Sequence, residues 1–195
     1  MSKYLNQAIE AMSAYVPGEQ PRDKAYIKLN TNENPYPPAP SVVAAMNAAE
    51  VEDLRLYSDP TAKGLKEKLA KLYGLKPENL YVGNGSDEVL YFLFLAYGAK
   101  GAAFPDISYG FYSVFAEICG IPATVIPLEK DFAIDPEKYH GLDRFIVIAN
   151  PNAPTGLSLP LAQVEEIIAS NPDHVVAIDE AHVFIDPKFP VALDF

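Results

Sequence analysis

Val82-Gly83-Asn84-Gly85-Ser86-Asp87-Glu88 follows a short apolar run, Leu80-Tyr81-Val82, and opens a helical stretch carrying Val89, Leu90, Phe92, Leu93 and Leu95. Two glycines therefore stand at a predicted strand-to-helix turn. Glycine at 83 and 85 admits positive φ and a close approach to the main chain, and the first N–H groups of the helix, those of Ser86, Asp87 and Glu88, face outward without intrahelical partners. The Ser86 hydroxyl adds a donor. The same residues also spell a plain N-cap with acids on the positive end of the helix dipole. Phosphate seat and structural cap are told apart only by what the rest of the chain brings to the same place.

Outward from this turn, toward the C-terminus, the chain alternates strand and helix. Strands are predicted at Leu80–Val82, Ala102–Phe104, Thr124–Ile126, Phe145–Ala149 and Val175–Ile178, with helices over Ser86–Tyr97, Tyr109–Cys119 and Pro160–Ser170. A βαβ series implies an α/β fold with a mainly parallel, helix-covered sheet, three layers deep. The runs around 147 and 177 are continuously apolar, as strands buried on both faces are. Ligands of such sheets sit at the carboxyl ends of the strands.

Toward the N-terminus, residues 3–15 place Tyr4, Leu5, Ala8, Ile9, Met12 and Tyr15 near one helical stripe, ended by Val16-Pro17-Gly18. A short strand at 26–29 runs into Asn30-Thr31-Asn32-Glu33-Asn34-Pro35-Tyr36, a polar loop stiffened by proline. A helix follows from Ser41 to about Glu52, and another is expected to start at Pro60 behind an Asp59 cap, with Leu65, Leu69 and Leu72 on one face and Gly74 at its end. Residues 1–36 read as a helix and arm, and 37–195 as the main domain.

With 195 residues, 49% of them hydrophobic, the chain has ample material for one buried core. Its 18 prolines lie at turns between apolar runs and form no low-complexity tract. A net charge of -11 with only three arginines argues against nucleic acid, whose phosphates are met by clustered Lys and Arg. The single cysteine, Cys119, excludes an intrachain disulfide and CxxC metal sites. No signal-peptide pattern opens the chain, and no run of 18 or more apolar residues occurs, so a soluble, cytoplasmic protein off the membrane is expected.

Each predicted strand delivers polar residues at its C-terminal end: Gly83–Glu88, then Pro105-Asp106-Ile107-Ser108-Tyr109, then Asn150-Pro151-Asn152-Ala153-Pro154-Thr155-Gly156, then Asp179-Glu180-Ala181-His182. Asp179 closes a buried run, where a carboxylate is partnered or costly. It is either a structural cap or the partner of a cationic ring nitrogen. In the second reading Tyr109 stacks on the ring and the glycine turn holds a phosphate. A ring, a basic nitrogen and a phosphate together describe pyridoxal phosphate.

Five stretches in this order, Asn32-Glu33-Asn34-Pro35, Tyr57-Ser58-Asp59-Pro60, Gly83–Glu88, Asn150-Pro151-Asn152-x-Pro154-Thr155-Gly156 and Asp179-Glu180-Ala181, resemble the histidinol-phosphate aminotransferases, of the aspartate aminotransferase fold (pyridoxal-phosphate fold type I). The resemblance spans nearly the whole chain, and its nearest alternative is threonine-phosphate decarboxylase. It implies transamination of histidinol phosphate with 2-oxoglutarate, in histidine biosynthesis. By resemblance, Ser86, Asp87 and Glu88 bind the cofactor phosphate, Tyr109 stacks on the ring and Asp179 pairs with its nitrogen. Tyr57 reaches the phosphate of the neighbouring subunit of a homodimer, and Asn32, Glu33, Asn34 and Tyr36 lie beside a small amino-phosphate substrate. A carboxylate roughly 4 Å from a pyridinium, at an effective dielectric of about 20, is worth about 4 kcal/mol, which keeps the ring protonated at neutral pH.

Three departures stand out. The family contacts the ring's 3-oxygen through an Asn before Pro-Thr-Gly and a Tyr after Asp-x-Ala, and this chain has Ala153 and His182 there. Asn152, one residue earlier, and a His182 N–H are candidate substitutes, although a lone histidine at a strand end is also a common structural residue. The Schiff-base lysine of the family has no counterpart, because Lys188, the only lysine after Asp179, has neither the spacing nor the flanking residues. The chain thus reads as an N-terminal portion with an incomplete large domain and no catalytic residue of its own. Two rivals follow: a non-catalytic fragment, and a dinucleotide oxidoreductase in which Gly83-x-Gly85-x-x-Glu88 and Asp106 take the Rossmann positions.

Overall fold

The structure, a computed structural model, describes residues 36–48 and 55–182 together with the isolated positions Met12 and Ile27. The expected helix over residues 3–15, the strand at 26–29, the loop residues Asn32, Glu33 and Asn34, and Lys188 lie outside the described residues.

Strands β1 (Ala102–Pro105), β2 (Ala123–Ile126), β3 (Phe145–Ala149) and β4 (Val176–Asp179) form one sheet in the order β2-β1-β3-β4. All three pairings are parallel, with Ala102 opposite both Ala123 and Phe145, and Ala149 opposite Asp179. From β1 the chain moves outward to β2, and from β3 it moves outward to β4 on the other side. The order therefore reverses between β1 and β3, where the departing loops diverge and leave a crevice at the strands' carboxyl ends.

The helices are α1 (Pro40–Ala48), α2 (Lys63–Tyr73), α3 (Gly85–Tyr97), α4 (Phe111–Cys119) and α5 (Leu161–Ser170). Side chains of successive strand residues point to opposite faces, and this alternation splits the core in two. Ala102, Phe104, Phe145, Val147 and Ala149 pack with Leu90 and Phe94 of α3 and Tyr112, Phe115 and Ala116 of α4. Ala103, Ile146 and Ile148 pack on the opposite face with Tyr139 and with Val164 and Ile167 of α5. Helix, sheet and helix make the three layers read from the sequence.

The structure corrects three expectations. Leu80–Val82 joins no strand among the described residues. Leu80 is extended, but its N–H closes the 3-10 turn Pro77–Asn79 by donating to the Pro77 carbonyl, and the Tyr81 ring packs edge-on against Phe92 at 6.2 Å. Without a neighbouring strand, three apolar residues have no ladder to join. Second, α2 starts at Lys63 rather than Pro60. Asp59 still serves its entry, accepting from the Thr61 N–H (2.9 Å), the Thr61 hydroxyl (2.7 Å) and the Lys63 N–H (2.7 Å), but Ala62 takes φ 48° and delays the helix. Third, β3 is buried at every position, whereas β4 is half-buried throughout because it forms an edge among the described residues. Gly74 ends α2 as expected. No helix among the described residues is long and apolar enough to cross a membrane.

Candidate active site

The turn 83–85 uses its two glycines differently. Gly85 takes φ +78°, which an L side chain adopts only under strain. Gly83 has ordinary φ but no room: an added Cβ would meet the Glu88 carboxylate at 3.0 Å, Val89 at 3.1 Å and the Tyr81 ring at 3.3 Å. The helix begins at Gly85, so the N–H groups of Gly85, Ser86 and Asp87 form its unpaired first turn. Glu88 turns the other way. Its Oε2 accepts from the Asn84 N–H at 2.5 Å, holding the turn together from behind.

A cavity of about 600 Å³ opens at this helix start, between the ends of β1, β3 and β4. Its lining is Asn84 to Asp87 of the helix start, Tyr109 from the loop after β1, Ala149 at the end of β3 with Pro151 and Ala153 of the loop that follows, and Asp179, Ala181 and His182 at and after the end of β4. Sequence and structure thus bring Ser86, Asp87, Tyr109, Asp179 and His182 together. Among the described residues, no lysine lines this cavity.

Two phenols hold two of the site's carboxylates. Tyr109 donates its hydroxyl to Asp87 Oδ1 at 2.8 Å, fixing the ring relative to the helix start. Tyr112, three residues on and wholly buried, donates to Asp179 Oδ2 at 2.8 Å. The two rings meet edge to face at 5.6 Å. Asp179 Oδ1 accepts from the Ala181 N–H at 3.1 Å. Burial, and then the Asp179 charge, push the Tyr112 phenol far above its ordinary range, so it remains a donor at any working pH.

Several expected residues are elsewhere. Asn152 is 2% exposed and its amide is spent on protein: Nδ2 donates to the Ile107 carbonyl (2.9 Å) and Thr155 Oγ1 (3.2 Å), and Oδ1 accepts from the Ser108 hydroxyl (2.8 Å). Its side chain borders a different cavity, with Phe132 and Leu159. Asn150 is also structural, exchanging two hydrogen bonds with the Leu159 main chain. Asp106 accepts from the Ile107 and Leu128 N–H groups and ties the ends of β1 and β2, so it is not the ribose partner of a Rossmann unit. Tyr36 and Tyr57 are exposed and line none of this cavity. Tyr112 escaped the sequence reading. Its signal was a tyrosine on a helix face otherwise built of Phe115 and Ala116, since a buried phenol hydroxyl seeks a partner.

The arrangement fits a flat cationic ring bearing a phosphate. Unpaired N–H groups with a helix dipole suit an anion, an aromatic ring lines the same cavity, and a carboxylate stands on its wall. The donors present therefore match pyridoxal phosphate, and the Asp87 side chain, occupied by Tyr109, leaves the anion to main-chain groups.

Comparison with known proteins shows the family. Residues 24–185 match the family described as aminotransferase class I and II. The histidinol-phosphate aminotransferase of Brachyspira hyodysenteriae is 49% identical over 185 residues, covering 94% of this chain and 52% of that protein. The enzyme of the same name from Marinomonas sp. is 50% identical over 196 residues, covering 99% and 56%. The crystal structure of histidinol-phosphate aminotransferase from Sinorhizobium meliloti in complex with pyridoxal-5'-phosphate superposes with a TM-score of 0.71 at 26% identity, over 81% of this chain and 45% of that one. The chain thus spans about half the length of the curated relatives it matches.

Proposed function

Because the chain belongs to the class I and II aminotransferases, we propose that it supplies the cofactor-binding part of a pyridoxal-phosphate-dependent histidinol-phosphate aminotransferase. The observation that carries this reading is the meeting of a helix start, the Tyr109 ring and the Asp179 carboxylate in one cavity. When bound, pyridoxal phosphate supplies an electron sink for the carbanion left when an amino acid loses its α-proton. In this reading the N–H groups of Gly85, Ser86 and Asp87, with the Ser86 hydroxyl, receive its phosphate. Tyr109 would flank the ring, and Asp179 would accept a hydrogen bond from the ring nitrogen and hold the proton there. His182, on the cavity wall where the family carries a tyrosine, would serve the ring's polar edge. The Asn152 amide, fully engaged, has no part in it, and Glu88 acts only by bracing the turn.

The finer parts of the proposal concern the whole protein. In this proposal Asn32, Glu33, Asn34 and Tyr36 would serve a phosphorylated amine substrate. The exposed Tyr57 serves the cavity of a second subunit in a cytoplasmic homodimer. The described residues hold and orient the cofactor; with no lysine on the cavity wall, they do not themselves move the α-proton.

Pyridoxamine 5'-phosphate tests this without requiring a lysine. The chain contains no tryptophan, so the ligand's own fluorescence is read against a quiet background. Saturable binding is expected, weakened by inorganic phosphate and by Asp179→Asn, with no comparable binding of NAD. Absence of saturable binding, or equal binding of NAD, would remove the reading.

A further inference from the structure

Tyr112 is fully buried, lies outside the cavity lining, and donates its hydroxyl proton to Asp179, a carboxylate on the cavity wall. The Asp179 side chain is thereby held at both oxygens, Oδ2 by the Tyr112 hydroxyl and Oδ1 by the Ala181 N–H. A carboxylate that accepts two such bonds is stabilised in its charged form and is a poor place for a further proton. That matters when a pyridine nitrogen shares a proton with it. The pair exists either as pyridinium with carboxylate or as neutral pyridine with carboxylic acid, and a donor to the carboxylate favours the first. The titratable groups around the pair are Tyr109, in ring contact with Tyr112, and Asp87 and His182 on the cavity wall. Asp87 is already bonded to Tyr109.

We propose that Tyr112 is a positioning residue that fixes Asp179 as an ionised acceptor and so keeps the shared proton on the nitrogen of the bound ring. This rests on the cofactor reading above and deepens it. The phenol touches neither ring nor substrate and acts through Asp179 alone. Because burial and the neighbouring charge hold its own proton tightly, it does not compete for the proton it helps to place.

The experiment uses pyridoxamine 5'-phosphate labelled with 15N in the ring, bound to the chain at neutral pH, and reads the ring-nitrogen resonance by NMR. The unaltered chain should show it at the pyridinium position. Tyr112→Phe keeps the ring and removes only the hydroxyl; it should still bind the ligand, with the resonance displaced toward neutral pyridine. Incorporating 4-aminophenylalanine at position 112, a weaker donor of similar bulk, should give an intermediate resonance and serves if the Phe variant does not fold. A purely structural tyrosine would change stability and affinity but not this resonance. An unchanged resonance in a variant that still binds overturns the role of Tyr112 and leaves the cofactor reading standing. No binding by the unaltered chain overturns both.

Discussion

Gly83 and Gly85 are the same residue placed two apart for different reasons, and substitution should separate them. At Gly85 an added Cβ meets nothing within 4 Å, so Gly85→Ala suffers only from its φ of +78°, a cost of about 1–2 kcal/mol. Gly85→Asn should recover part of that in urea denaturation, since asparagine tolerates the left-handed region. Gly83→Ala instead pushes on the Glu88 carboxylate and should free the Asn84 N–H, visible as faster amide exchange there. A third residue, Tyr139, carries a buried hydroxyl without a partner among the described residues, and burial raises its pKa beyond the ordinary tyrosine value. Tyr139→Phe should therefore be neutral or raise stability by up to about 1 kcal/mol; a clear loss in thermal unfolding would reveal a hidden partner. Single residues were legible where chemistry and position coincide. Asp179 ends β4 and Tyr109 lies in the loop after β1, and one cavity takes in both. Asn152 misled because an amide beside prolines also serves to close its own loop, and Glu88 because a helix acid can reach back as readily as forward. Tyr112 was illegible for the opposite reason: its hydroxyl faces inward, and its partner lies 67 residues away.

The sheet strands were readable to within a residue or so because an apolar run enclosed by helices has one stable fate, and β1, β2, β3 and β4 all took it. Leu80–Val82 has the same composition but its outcome depends on a neighbour, which no local pattern encodes. The start of α2 was misplaced for a related reason, since Asp59 and Pro60 announce a helix that Ala62 postpones. The entry to α2 carries its own pH signature. Bonds from the Thr61 hydroxyl, the Thr61 N–H and the Lys63 N–H hold the Asp59 carboxyl below its ordinary value of 3.8. A carboxyl depressed on folding stabilises the native form above its unfolded value, and the contribution disappears as pH falls through the depressed one. Exchange at the Lys66 amide, which bonds the Ala62 carbonyl, should thus accelerate in acid relative to α5, beyond the intrinsic pH dependence of exchange, and Asp59→Asn should flatten that difference.

At the scale of the molecule, Phe94 is the hub of the α3–α4 face, with ring contacts to Phe104, Tyr112, Phe115 and Phe145 between 5.3 and 6.4 Å. Phe94→Ala should cost about 3–5 kcal/mol. It should also disturb ligand binding, because Tyr112 rests against it. Beside β4, Leu69, Val82, Val89, Leu93 and Ile178 line an open, largely apolar groove of about 460 Å³. Such a surface invites association. The chain should bind 8-anilinonaphthalene-1-sulfonate while folded and sediment in a concentration-dependent way; a monomer that leaves the dye dark would show the groove closed in solution. The bond from Tyr112 to Asp179 also bears on the order in which the chain is made. Tyr112 leaves the ribosome 67 residues before the carboxylate that receives its proton. Until β4 docks, the helix start and the Tyr109 ring can already be in place, but Tyr112 must keep its hydroxyl wet or bury it unsatisfied, at a cost of about 1–3 kcal/mol. Arrival of β4 relieves that tension and brings Asp179 to the cavity in one event, so in the growing polypeptide the carboxylate joins the helix start by the same step that seals the aromatic core.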